Sequence, residues 1–197
     1  MLNHPSSELL LLYGDCLLRM QRCERLLKAI LASSEISIST PEETKNLISN
    51  RLNKIKLKTF GQVINEELKE YLLENPIPSK INSQSINIKH HLEYDSITLK
   101  NIRIDLEYFI NARNILVHHF FDRYDLLNSS ETINAEQHEK AKEYLKECIK
   151  NANHHYHLFM EWKINISNNY QHITNFINSS EFDKYIKSST NETPEIN

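Results

Sequence analysis

Phe109-Ile-Asn-Ala-Arg-Asn-Ile-Leu-Val-His-His-Phe-Phe121 is the stretch on which the reading of this chain turns. Leu99, Ile102, Leu106 and Phe109 recur before it at three- and four-residue steps, which is one face of an amphipathic helix. The next slots on that face are 113, 116 or 117, and 120. Leu116, Val117 and Phe120 are apolar, as a buried stripe requires, but position 113 is Arg113. A guanidinium within an apolar stripe is costly unless its charge finds partners. Either a carboxylate holds it structurally, or it is placed to meet an anion.

The helices around this stretch are read from the same periodicity. Leu9, Tyr13, Cys16, Met20, Cys23, Leu27 and Ile30 predict a helix from Ser7 to Ser33, with Leu10, Leu17 and Leu31 widening its apolar face into that of a bundle. Its charges Arg19, Arg22, Arg25 and Lys28 fall on other faces and read as solvated. Ser33 to Thr40 reads as a connector. Thr40-Pro41-Glu42-Glu43 is a capping box with proline at the first helical position, opening a second helix that ends near Lys58. Its end, Arg51 to Lys58, carries four cations, which complement the helix dipole or attract phosphate. Thr59-Phe-Gly-Gln62 caps a third helix, with Val63, Ile64, Leu68, Tyr71 and Leu72 on it and Asn75-Pro-Ile-Pro78 stopping it.

Ser85 to Lys89 alternates like a strand. With no evident partner, it reads equally as an extended loop or as a strand pairing across a dimer. Asp95 or Ser96 caps the helix of the opening stretch. A last helix starts near Asn134 and repeats apolar residues from Ala141 to Ile177. It is long enough to outrun a compact bundle, so it is expected either to kink or to pack its end on another subunit. The expectation is thus an all-α bundle of four to five helices with a long C-terminal helix. Residues 1–180 form one domain, and 181–197 a disordered tail.

Composition narrows the function. The chain has 197 residues, two glycines, 25% charged residues and a net charge of −3, which excludes an overall basic coat for nucleic acid but not a local basic site. The first 60 residues hold nine Lys/Arg against six Asp/Glu. Cys16, Cys23 and Cys148 form no CxxC pair, and the odd number fits a reducing, cytoplasmic setting without metal. No signal peptide is visible, and no apolar run approaches the roughly 18 residues of a membrane span. Walker, dinucleotide-binding, GxSxG and HExxH motifs are absent. His90-His91 and His154-His155-Tyr-His157 lack acids or cysteines at ligand spacing, so a zinc site is not expected. A metal-binding sensor would need the His154 cluster to meet His90 or His91 in space.

Arg113-Asn114-Ile-Leu-Val-His118 resembles the R-x4-6-H signature of the HEPN superfamily, over about residues 96 to 126; the rest of the bundle matches it in outline. The resemblance implies a small all-α domain, paired as a homodimer, many of whose relatives are metal-independent endoribonucleases in toxin–antitoxin and other defence systems. It implies Arg113 and His118 as catalytic residues, with Asn114 and His119 as accessory ones, and no cofactor. RNA is the substrate class and an antitoxin a possible partner. The residue types suit that chemistry. Histidine titrates near neutrality and can take the 2′-OH proton or protonate the leaving 5′-oxygen. Arginine offers a fork of donors to phosphate oxygens. The products would be a 2′,3′-cyclic phosphate and a 5′-hydroxyl. On a regular helix His118 lies about 140° around from Arg113, so one copy does not easily aim both at one atom, whereas two copies about a twofold axis could. The alternative is a non-catalytic helical module binding protein or RNA, in which Arg113 is capped by a carboxylate and His118 makes a helix-end or interface hydrogen bond.

Overall fold

In a computed structural model, residues 5–38, 41–73, 81–82, 85–127, 135–177 and 179–180 are described. The frame is helical. Helix α1 is Ser7–Ser33, and it opens on Ser6, whose hydroxyl accepts from the Leu9 amide at 3.2 Å. Strand β1 (Glu35–Ile38) and helix α2 (Pro41–Lys56) follow. Helix α3 has three consecutive pieces: Phe60–Gln62, a π-helical turn Val63–Glu67, and Leu68–Tyr71. Its capping box forms in both directions, Gln62 N–H to Thr59 Oγ1 at 3.3 Å and Thr59 N–H to Gln62 Oε1 at 2.9 Å. Thr59→Ala removes one of these partners and is expected to cost about 1 kcal/mol in denaturant titrations.

Short strands β2 (Leu72–Leu73), β3 (Ile81–Asn82), β4 (Ser85–Lys89) and β5 (Leu92–Glu93) come next. Helix α4 joins Ser96–Asn114, a π-helical turn Ile115–His119 and Phe120–Arg123. Asp95 caps it, accepting from Ile97 and Thr98 N–H at 3.0 and 2.9 Å. Helix α5 is Ala135–Ile177, 43 residues and about 64 Å long. The proline stop at 76–78 and the tail 181–197 lie outside the described residues.

Helices α1 and α5 run parallel and make the most extensive interface. Glu8 meets Lys142 at 2.7 Å, the Cys23 thiol reaches the Ala152 carbonyl at 3.1 Å, and Tyr170 donates to the Ser33 carbonyl at 2.8 Å. Between these contacts Leu9, Cys16, Cys23 and Leu27 face Ala141, Leu145, Cys148 and Ala152, all fully buried. Helix α4 lies antiparallel to α5, since Phe109 stacks on His155 and Tyr124 meets Tyr144.

Three expectations change here. Residues 35–38 are a strand rather than a connector, and they are the partner that Ser85–Lys89 needs. The two pair antiparallel from Glu35↔Lys89 to Ile38↔Ile86, with β3 on the far edge of β4. Helix α5 is continuous, with no break. Its stretch from Trp162 to Tyr170 is covered within the chain: Trp162 packs on Tyr71 and Tyr94, and Tyr170 on His90, while Gln171, His172, Thr174 and Asn175 beyond it are exposed. Leu10, expected on the apolar face of α1, is instead 44% exposed.

Candidate functional site

The opening stretch folds with a register other than the one expected for it. Ala112, not Arg113, takes the buried slot after Phe109, followed by Leu116 and Phe120. Arg113 lies at the edge of the bundle, its side chain 30% exposed. Val117, expected in the stripe, is 44% exposed. Ala112 and Arg113 both precede the π turn; steps of three and of four from Phe109 stay on the same face, and the smaller side chain is the one that enters the core. The π turn itself closes over five residues, so each advances less than the 100° of a regular helix, and the sides of the helix shift beyond it. By the same argument, the offset of His118 from Arg113 is smaller than that of a regular helix.

Helix α1 supports this turn. The Tyr13 hydroxyl donates to the Leu116 carbonyl at 2.9 Å, and its ring stacks on Phe120 at 5.1 Å and meets Phe121 at 5.0 Å. Burial pushes the Tyr13 phenol above its ordinary pKa, so the hydroxyl stays a donor. Tyr13→Phe leaves a carbonyl of the π turn without this donor. A loss of about 1 kcal/mol is expected, with amide shifts at 115–120 in an NMR spectrum.

Arg113 faces Glu24 on α1, Nη2 to Oε2 at 3.5 Å. That is an ion-pair distance, longer than a direct hydrogen bond. Glu24 is held more closely by Lys28, at 2.8 Å. Lys28 is not the solvated charge its helical position implied: it is buried, and its ammonium donates to the carbonyls of Lys58 at 2.7 Å and Lys56 at 3.4 Å at the C-terminus of α2. One carboxylate therefore joins the cation that caps α2 to the arginine of α4. At the same end, Lys58 pairs with Glu66 at 2.9 Å and Glu67 at 2.5 Å.

Asn114, His118 and His119 are exposed. The two imidazoles sit 6.1 Å apart between centroids. Neither makes a hydrogen bond to a described residue. The structure thus brings Arg113 to Glu24, which Lys28 also holds, and presents the two histidines to solvent on the turn just after it. A carboxylate partner for Arg113 was expected, but the pattern singled out neither Glu24 nor the Lys28 beside it. The i,i+4 spacing of Glu24 and Lys28 was the available signal for a preformed charge pair.

The other histidines fall elsewhere. His155 is buried on the α5 seam, stacked on Phe109 at 4.6 Å, with Nδ1 donating to the Asn151 carbonyl at 2.9 Å and Nε2 buried without a partner. His90 packs on Tyr170, 16 residues along α5 from His154, or about 24 Å. The two histidine groups do not meet, and among the described residues no three metal-ligating side chains converge.

Burial is the main cause that holds both His155 and His90 below the ordinary histidine pKa. The charges of His154 and His91 add to the respective shifts, while Asp105 and the Asn151 carbonyl oppose that of His155. The unfolded chain then binds more protons than the folded one below about pH 6.5, so stability falls as pH drops through that value, by up to about 1.4 kcal/mol per pH unit for each histidine. Tm is expected to be lower at pH 5.5 than at 7.5, with a flatter dependence in His155→Leu. A Tm that rises on acidification would contradict this.

Among the described residues, no helix is long and apolar enough to cross a membrane. Comparison of the chain with protein-family models, with curated proteins and with solved structures gave no match.

Proposed function

We propose that this chain is a metal-independent endoribonuclease of HEPN-like type, working as a homodimer in a toxin–antitoxin or other defence setting. The observation that carries the reading is the solvent-exposed His118–His119 pair on a π-helical turn immediately after Arg113-Asn114. π turns inside helices occur frequently at functional sites. Here the turn displays two groups fit for proton transfer beside a permanent cation. The 2′-oxygen of a ribose attacks the adjacent phosphorus as histidine removes its proton. The P–O5′ bond breaks, and the leaving oxygen is protonated by a second histidine, His119 or His118 of the other copy. Arg113 stabilises the charge that gathers on the phosphate oxygens, and Asn114 orients them.

The homodimer has a surface to use. On α1, the side bearing Tyr13 continues outward through Leu10, Gly14 and Leu17 to Leu18. Leu10 and Leu18 are 44% and 46% exposed, and a Cβ at Gly14 would meet nothing within 4 Å. An apolar strip with a glycine at its centre suits close packing against its own copy about a twofold axis, next to the two motif helices.

The Glu24–Arg113 contact favours the second reading, a non-catalytic module in which the pair is structural. The test is incubation of the purified protein with total RNA and with tRNA in EDTA, beside the Arg113→Ala/His118→Ala double variant. Cleavage that chelator spares and the variant loses, leaving 2′,3′-cyclic phosphate ends, is the expected result. Intact RNA throughout would overturn the reading in favour of the module.

A further inference from the structure

On another face of the bundle, α3 and the first half of α4 enclose a groove that the chemistry above does not use. It holds a cavity of about 460 Å³, with a smaller one of about 60 Å³ beside it, and Leu72, Arg103 and Glu107 line both. Its floor is apolar, made by Leu68, Leu72 and Leu99. Its walls carry Lys69 from α3 and Lys100, Arg103 and Glu107 from α4, all exposed. None of these four charges has an ion-pair or hydrogen-bond partner among the described residues. Arg103 and Glu107 stand at i,i+4 and still do not pair; arginine N-terminal to glutamate is the weaker orientation on a helix. The outer lip is Ile104, 52% exposed, with Ile97 one heptad before it at 73%.

We infer that this groove is the docking site for an acidic amphipathic helix of a partner protein. Charge complementarity selects the occupant. Three cations and one carboxylate, none with a partner among the described residues, call for an acidic ligand, while the apolar floor and the exposed Ile104 call for side chains that bury. Both requirements are met by a helix with apolar residues at i, i+3, i+4 and i+7 flanked by glutamates or aspartates. A polyphosphate backbone meets only the first, and Glu107 repels it. The inference goes beyond the ribonuclease reading and stands whether or not the chain cuts RNA.

The probe is a fluorescein-labelled 18-residue peptide with leucines at those spacings and glutamates on its flanks; its control has lysine for every glutamate. Anisotropy titrations are run with the wild type and with Lys69→Glu/Lys100→Glu/Arg103→Glu, whose changed side chains are exposed. The glutamate peptide is expected to bind the wild type about tenfold tighter than the control, an energy near 1.4 kcal/mol, and the triple variant to reverse the order. Amide shifts in the wild type should map to 64–72 and 96–107, and this needs no variant to fold. Equal binding of the two peptides, or shifts that map elsewhere, overturns the inference. So does a single-stranded RNA oligonucleotide that perturbs the same amides more strongly than the glutamate peptide.

Discussion

Arg113→Ala is expected to lower RNA cleavage by about 10²- to 10³-fold, the loss typical of removing one donor aimed at developing negative charge. Its cost to the fold should be small. The side chain is 30% exposed, its partner Glu24 stands at 3.5 Å, and Glu24 keeps Lys28 at 2.8 Å when the guanidinium is gone. A loosely held, partly exposed ion pair is worth under about 1 kcal/mol. The two readings of the site therefore separate in one experiment: a catalytic arginine gives a large fall in rate, and a structural one leaves the rate alone and lowers Tm by at most a few degrees. Arg113→Lys sharpens the contrast. Lysine keeps the charge opposite Glu24 but loses the planar fork, so it should restore stability and leave much of the rate defect. His118→Ala and His119→Ala, made singly, decide which imidazole transfers the proton. Both are exposed, so neither substitution opens a cavity.

The long helices were legible because burial on them follows a strict period. The α1 and α5 seams were read residue by residue, since Cys16, Met20, Cys23, Leu145, Cys148, Ala152 and Phe159 occupy the slots that three- and four-residue steps assign them. The motif helix was misread by one position at Arg113. Steps of three and of four from Phe109 both stay on its face, so the period does not choose between 112 and 113, and Ala112, too small to stand out, filled the core slot while the arginine stayed at the edge. The π turn at Ile115–His119 follows them and is local, with no composition that marks it in advance. The sheet was half legible. Glu35-Ile-Ser-Ile38 alternates as Ser85–Lys89 does, but its partner lies some fifty residues away, beyond the reach of any local pattern. Lys28 was misplaced because a helical wheel shows only its own helix, and what buries Lys28 is the end of another.

Trp162→Ala is expected to be the most destabilising single substitution in the chain, at about 3–5 kcal/mol, or a Tm lower by about 10 °C. Trp162 is fully buried at the point where α5 leaves the α1–α4 core. Its ring meets Phe159 at 5.2 Å and Tyr71 at 6.1 Å, and its indole N–H donates to the Tyr94 hydroxyl at 2.9 Å. Truncation opens a cavity and also leaves Tyr94 without this donor, next to a Tyr71 hydroxyl that is already buried and unpartnered. Tyr71 and Tyr94 belong to α3 and to the segment leading into α4, so these parts loosen first and unfolding should become less cooperative. Hydrogen exchange should accelerate first in Leu68–Leu73 and Leu92–Tyr94, and last in the α1–α5 interface around Cys23 and Ala152. Trp162→Phe keeps an aromatic ring in the site and removes the N–H with the rest of the indole's second ring, and about 1–2 kcal/mol is expected for it. Equal destabilisation by the two variants would place the energy of this junction in the hydrogen bond instead of in the packing. The junction at Trp162 would then be held by a single polar contact, and Tyr94→Phe should cost as much as either.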